Sequence, residues 1–318
     1  MSDQPLVLVL ATANDPELAM LGATPHVIGA KREDFGDATA GAAAILHWSG
    51  SRDRLREVFL SSPQVRWIHS RNAGLDNTLF PELVASPAPL TNGSGVFSQS
   101  LGEFALAAIL YFAKDISRML RNMRAQRWEQ FDVDEISTQT IGIVGYGDIG
   151  CAVASRVKAM GMKVFALKRH VPVTPDPLID SFYAPEQLFE MLVLCDYVVV
   201  AAPLTAETHH MISDAAFAAM KPSAVLINVG RGPVVDQEAL LRALTENKIR
   251  GAGLDVFEHE PIPADDPIWS FDNVLVSPHT ADHTSTWLRD AMQFFIEQYG
   301  RFAKGEPLKN VVNKQLGY

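Results

Sequence analysis

Cysteine is scarce in this sequence: only Cys151 and Cys195 occur in 318 residues, far apart and without the paired spacing of a zinc knuckle or a disulfide framework. A disulfide-stapled secreted fold and a zinc site are therefore not expected, no residue is assigned to a metal, and both thiols are read as small buried side chains in a reducing cytoplasm. Long apolar runs are lacking as well. The first, residues 6–10, has no basic flank and is far shorter than a signal core or a membrane span, so it is read as an opening strand and no membrane partner is expected. Positive charge is in deficit. With 27 Lys and Arg against 37 Asp and Glu, and a formal net charge of -10, the chain lacks the basic excess of a general nucleic-acid surface, and no nucleic acid is expected as a partner.

What remains is a globular composition, 47% hydrophobic over a length that suits about two domains. Apolar runs at 6–10, 43–46 and 65–68 alternate with helix-like segments near 15–21 and 53–59, which predicts a parallel sheet covered by helices. No glycine-rich loop follows the first strand. The distinctive feature of this half is instead the loop 71–77 after the third run, rich in turn-forming Asn, Gly and Asp. Residues 86–100, rich in Pro, Gly and Ser, read as a crossing between domains. A long helix over 101–120 follows, apolar nearly all round through Phe104, Leu106, Ala108, Ile109, Phe112 and Ile116, as expected of a helix packed on two sides at a domain or subunit interface. Arg118, Arg121, Arg124 and Arg127 recur at three-residue spacing, which reads as a solvated helix side before an anion face.

The second half is organised around residues 140–150. Ile141, Ile143 and Val144 read as a buried strand, and Gly145, Gly147 and Gly150 then make GxGxxG at the start of an amphipathic segment reaching about Met160. In that strand-turn-helix setting the first glycine makes the turn, the second lets a pyrophosphate approach the backbone, and the third lets the helix pack on its strand. Helix-start amides then face phosphate. Further strands at 163–167, 197–201, 224–228, 252–255 and 274–276 bring the count to six, a doubly wound dinucleotide domain whose ligands lie at the strands' C-terminal ends. An amphipathic segment over 287–302 returns to the first domain. The expected division is 1–100 plus 287–318 for the substrate domain and 101–286 for the dinucleotide domain.

Several stretches together resemble the D-isomer-specific 2-hydroxyacid dehydrogenases, NAD(P)-dependent reductases of 2-oxo acids. The resemblance runs through Asn72-Ala73-Gly74-Leu75-Asp76, Gly102-Glu103-Phe104-Ala105, the 145–150 glycines and Pro203-Leu204-Thr205-Ala206-Glu207-Thr208. It continues through Asn228-Val229-Gly230-Arg231-Gly232, residues 253–261, Ser277-Pro278-His279 and Gly305-Glu306-Pro307-Leu308. It implies two doubly wound α/β domains, the second a Rossmann domain, with a cleft between them as the active site. Arg231 would hold the substrate carboxylate with its planar fork, His279 would be the proton donor, and Glu260 would orient the imidazole and favour its charged form. The backbone of Ala73, Gly74 and Leu75 would grip substrate oxygens. Coenzyme contacts would fall at Gly145, Gly147, Asp148, Ile149, Gly150, Ala202, Pro203, Thr208, Val229 and Asp255.

Two departures stand out. Asp282 occupies a position where the family commonly has a small residue. Lys168 and Arg169, with His170 behind them, follow the second strand where NAD-preferring members carry an acid, so NADP(H) is the expected coenzyme with NAD(H) usable. The expected activity is reduction of a small 2-oxo acid, glyoxylate or hydroxypyruvate, by a homodimer. The alternative is a dinucleotide-sensing or corepressor-like binding protein without significant turnover.

Overall fold

A computed structural model describes residues 4–12 and 14–318, which fall into two compact units: Met1–Phe97 with Thr284–Tyr318, and Ser98–His283. The first carries five parallel strands, β1 (Val7–Leu10), β2 (His26–Gly29), β3 (Ala44–His47), β4 (Trp67–Ser70) and β5 (Leu90–Thr91), in the order β2-β1-β3-β4-β5. β1, β3 and β4 are buried along their whole length, as strands covered on both faces must be. The expected third strand begins two residues late, because Val65 donates its amide to Ser62 and closes a turn before the ladder starts. β2 and β5 leave no apolar signal in the sequence. β2 carries polar and exposed positions, and β5 has only two residues, so neither makes an apolar run. The segment expected near 15–21 is a 3-10 helix, Pro16–Leu21.

The C-terminal helix Trp287–Lys304 belongs to this first unit, where Phe295 stacks on Trp67 at 5.5 Å and Phe302 approaches the same ring at 5.0 Å. Beside Trp67, His69 is wholly enclosed. Its Nδ1 meets Thr91 Oγ1 at 2.8 Å, and its ring lies 5.8 and 5.5 Å from those of Phe294 and Phe295.

The second unit is a seven-stranded parallel sheet of β6 (Thr140–Val144), β7 (Lys163–Leu167), β8 (Ser181–Tyr183), β9 (Tyr197–Val200), β10 (Val225–Asn228), β11 (Gly251–Leu254) and β12 (Val274–Val276). Its order is β12-β11-β10-β9-β6-β7-β8, the doubly wound arrangement with β6 inside. The extra strand over the six expected is β8, a half-buried edge strand of three residues. The single long helix expected over 101–120 is two helices. Ser98–Ala113 ends before Asp115, whose left-handed φ of 47° and side-chain acceptor for Arg118 N start a new helix, Ile116–Arg124. The first helix buries one face and packs on the Asp148–Ala159 helix, close enough that a Cβ on Gly102 would lie 2.9 Å from the Ala152 carbonyl. The second has no fully buried residue, and its Met119, Leu120 and Met123 face outward. Of the two thiols, Cys195 is buried and pushed up to about 12 by that burial, whereas Cys151 is only half-buried. Among the described residues, no helix is long and apolar enough to cross a membrane.

Enclosure holds His69 neutral, taking its pKa from 6.5 down to about 3. The unfolded chain therefore binds a proton that the folded one refuses, and stability should fall as pH drops from 6.5 toward 3. One such group contributes a slope of up to about 1.4 kcal/mol per pH unit. Denaturant unfolding of wild type and His69→Gln across that window should show a shallower acid slope in the variant; parallel slopes would overturn this account.

Candidate active site

The three glycines after β6 meet three different demands. Gly145 has φ +98°, and a Cβ there would lie 2.6 Å from Ala202 N; Gly150 abuts the turn, its notional Cβ 2.4 Å from Gly145 O. Both are needed by the fold itself. Gly147 differs, since a Cβ on it would meet nothing within 4 Å, and it is the N-cap of the helix Asp148–Ala159. Open space in front of helix-start amides, those of Asp148 and Ile149 included, fits a pyrophosphate. The chain's own residues thus suit a dinucleotide.

Around that turn, Lys168 leaves β7 half-buried with Nζ 5.4 Å above the Tyr146 ring. The Tyr146 hydroxyl donates to Asp176 at 2.8 Å, and burial, first, and that carboxylate raise its pKa. Arg169 pairs with Glu207, and His170 is exposed. Beyond β9, Ala202 is buried and Pro203 exposed. Thr208 closes the next turn, its Oγ1 donating to Pro203 O at 2.6 Å and accepting from Thr205 N at 2.8 Å.

Arg231 lies just past β10. Asn228 shapes its turn, accepting from Gly230 N and donating to Arg231 O, each at 3.1 Å, while Val229 is buried between them. Arg231 is half-buried and donates from one terminal nitrogen to Gly230 O at 2.7 Å. No side chain fits at Gly232, where a Cβ would fall 1.8 Å from Phe257 O. The Arg231 turn therefore sits directly on the segment leading to Glu260. Glu260 Oε1 accepts from Phe257 N at 2.9 Å, and its Oε2 meets His279 Nδ1 at 2.6 Å.

His279 is exposed and adopts φ 54°, a left-handed backbone uncommon for residues other than glycine. Asp255 imposes that turn. Only 1% exposed, it accepts at one oxygen from Ser277 Oγ at 2.5 Å and from the amides of Thr280 and Ala281 at 3.0 Å each. Asp282 follows, its carboxyl raised by burial, with His283 and His279 opposing the shift. Ser277 and Asn228 lie inside the motifs of the family resemblance, yet nothing in a local pattern says which polar side chain shapes a turn.

A further link ties these loops. Glu258 accepts from His210 Nε2 at 2.6 Å and from Gln237 N at 3.3 Å, joining the segments that follow β9, β10 and β11. In the first unit, the loop 71–77 is held by its carbonyls, with Asn72 O accepting from Gly93 N at 3.2 Å and Ala73 O from Asn92 Nδ2 at 2.7 Å. In a trans peptide the next amide points the opposite way. The amides of Ala73 and Gly74 are therefore turned away from Asn92 and Gly93, while Leu75 is buried as the loop's anchor.

A doubly wound sheet with a glycine turn and a carboxylate-bound histidine at its strand ends defines a dinucleotide-dependent dehydrogenase. Residues 106–281 match the family model described as D-isomer specific 2-hydroxyacid dehydrogenase, NAD binding domain. The chain is 35% identical to a glyoxylate reductase of Korarchaeum cryptofilum over 82% of this chain and 80% of that protein. It is 32% identical to glyoxylate/hydroxypyruvate reductase B of an Enterobacter species, over 89% of this chain and 88% of that one. Among solved structures, a D-isomer specific 2-hydroxyacid dehydrogenase from Xanthobacter autotrophicus in complex with NADPH and MES has TM-score 0.83 at 30% identity, covering 99% of both chains. An NADPH-dependent glyoxylate/hydroxypyruvate reductase from Sinorhizobium meliloti, in complex with NADP and sulfate, has TM-score 0.85 at 26% identity, covering 99% of this chain and 100% of that one. The chain belongs to the D-isomer specific 2-hydroxyacid dehydrogenase family. It is an NAD(P)-dependent oxidoreductase.

The contrast between the glycines is testable. Gly147→Ala should leave the melting temperature unchanged while weakening NADP+ binding about tenfold or more, because its methyl group enters only the space left for phosphate. Gly150→Ala should instead destabilise the fold, since its methyl group meets backbone. Thermal unfolding beside calorimetric titration separates them, and undiminished NADP+ binding by Gly147→Ala would sink the assignment.

Proposed function

We propose that this protein reduces a small 2-oxo acid, with glyoxylate or hydroxypyruvate as the substrate, to the D-2-hydroxy acid, and that it prefers NADPH to NADH. The observation that carries this is the Glu260–His279 pair, with the imidazole bound through Nδ1 and Glu260 itself pinned to Phe257 N. Engaging Nδ1 leaves Nε2 as the nitrogen that faces substrate. The names of the related reductases support the substrate class, and the coenzymes bound by the related structures support the preference. They do not favour the corepressor-like alternative.

Bound NADPH supplies the hydride that reduces the carbonyl carbon. Arg231 holds the substrate carboxylate in a two-pronged grip and polarises the carbonyl, as its planar fork allows. His279 gives the Nε2 proton to the carbonyl oxygen as negative charge develops there. Glu260 keeps the ring oriented for that transfer. The turned-out amides of Ala73 and Gly74, beside the Leu75 anchor, suit substrate oxygens. Gly145, Gly147, Asp148, Ile149 and Gly150 receive the pyrophosphate side of the coenzyme, with Ala202, Pro203, Thr208, Val229 and Asp255 along its remaining length. Lys168 and Arg169 receive the 2′-phosphate. The work is divided between a substrate domain, 1–100 plus 287–318, and a dinucleotide domain, 101–286.

A steady-state panel of 2-oxo acids with each coenzyme tests this reading. Turnover of glyoxylate or hydroxypyruvate, with higher kcat/KM for NADPH than for NADH, is expected. Coenzyme binding without turnover across the panel would overturn the reductase reading in favour of the sensor.

His279 acts through its Nε2 proton, and Glu260 fixes the ring through Nδ1. Glu260→Ala should lower kcat about tenfold or more while leaving NADP+ binding unchanged, and Glu260→Gln, whose amide oxygen can still accept from Nδ1, should recover part of the loss. Unchanged kcat in Glu260→Ala, with a substrate isotope effect showing chemistry to be rate-limiting, would overturn the role of the pair.

The functional form is a cytoplasmic homodimer. The helix Ile116–Arg124 has no fully buried residue, and Met123 and Trp128 near its end are 68% and 96% exposed. A second copy is the partner that suits this apolar face. Light scattering should give twice the 34.8 kDa of one chain, and a mass near 34.8 kDa at micromolar concentration would contradict it.

A further inference from the structure

Arg169, just past β7, and Glu207, in the turn past β9, form an ion pair. Since β6 lies between β7 and β9 in the sheet, this pair spans the end of β6 from which the glycine turn departs. Glu207 stands on a stiff support. Thr205 and Thr208 close the turn reciprocally, with Thr205 N donating to Thr208 Oγ1 at 2.8 Å, Thr208 N to Thr205 Oγ1 at 3.3 Å, and Thr208 Oγ1 to Pro203 O at 2.6 Å. The backbone of Glu207 is thereby fixed. Both side chains reach solvent, Arg169 at 30% and Glu207 at 70% exposure, so an incoming anion can exchange with the carboxylate without disturbing the core.

We propose that Glu207 is a specificity-determining residue, an internal counter-anion that competes with the coenzyme's 2′-phosphate for Arg169 and so limits the preference for NADPH over NADH. The proposal rests on the reading of Arg169 as a 2′-phosphate ligand. A phosphate monoester carries about -1.5 to -2 charges at neutral pH, so it must displace the carboxylate from Arg169 and is repelled by it afterwards. NADH presents a neutral hydroxyl at the same place. Glu207 therefore acts on one coenzyme and leaves the other nearly untouched. Exposed ion pairs are weak and screened by salt, which sets the scale of the effect at about three- to fivefold.

The experiment is calorimetric titration of NADP+ and of NAD+ into wild type, Glu207→Gln, Glu207→Asp, Arg169→Ala and the Arg169→Ala/Glu207→Gln double variant, at low and high ionic strength. Glu207→Gln should lower the Kd for NADP+ about three- to fivefold and change that for NAD+ less than about twofold. Glu207→Asp should stay near wild type. The gain should vanish in the Arg169→Ala background and shrink with added salt. An equal change for both coenzymes, weaker NADP+ binding, or a gain that persists without Arg169 would overturn the proposal. If Arg169→Ala weakens NADP+ binding while Glu207→Gln does not tighten it, only the role of Glu207 falls. If Arg169→Ala leaves NADP+ binding unchanged, the phosphate-ligand reading falls and this proposal with it.

Discussion

The turn that carries His279 depends on one buried carboxylate. Asp255 stands at the end of β11 with its own amide bonded to Asn228 O at 3.0 Å, and its Oδ1 gathers Ser277 Oγ and the amides of Thr280 and Ala281. A carboxylate held by several donors fixes both its own position and theirs. The chain past β12 is thereby bent so that His279 takes a left-handed backbone and its Nδ1 reaches Glu260. Losing the Asp255 carboxylate would leave those donors without an acceptor at a position only 1% exposed.

Absent side chains constrain the site as firmly as present ones. Gly232 admits the carbonyl of Phe257 where any Cβ would collide, so the Arg231 turn and the Glu260 segment share one wall. Glu258, bonded to His210 and Gln237, adds a polar link that ties in the segment after β9 as well. The site is thus built from loops that are individually irregular but mutually tied. That arrangement suits chemistry in which a misplacement of about 1 Å is costly.

Parallel strand direction explains why these loops meet at all. In a sheet whose strands all run the same way, every loop leaving a C-terminal end emerges on one edge, and residues separated by more than a hundred positions become neighbours there. Gly147, Arg169, Glu207, Arg231, Glu260 and His279 are gathered on that edge from β6, β7, β9, β10, β11 and β12.

The sequence by itself determined the two α/β units, the buried strands of the second sheet and the glycine turn, because burial on both faces leaves continuous apolar runs and a phosphate-binding turn needs glycine at set positions. It also determined the family, through motifs spread along nearly the whole chain. Short edge strands such as β5 and β8 left no such trace, and the break at Asp115 was hidden because an apolar run does not show where a single left-handed residue restarts a helix. Only the tertiary structure decided that Ser277 and Asn228 shape the turns around His279 and Arg231, and that Arg169 reaches Glu207 instead of standing alone. Those contacts join residues distant in the chain through hydrogen bonds and ion pairs, whose partners are chosen by the geometry of the assembled sheet and carry no periodicity along the sequence.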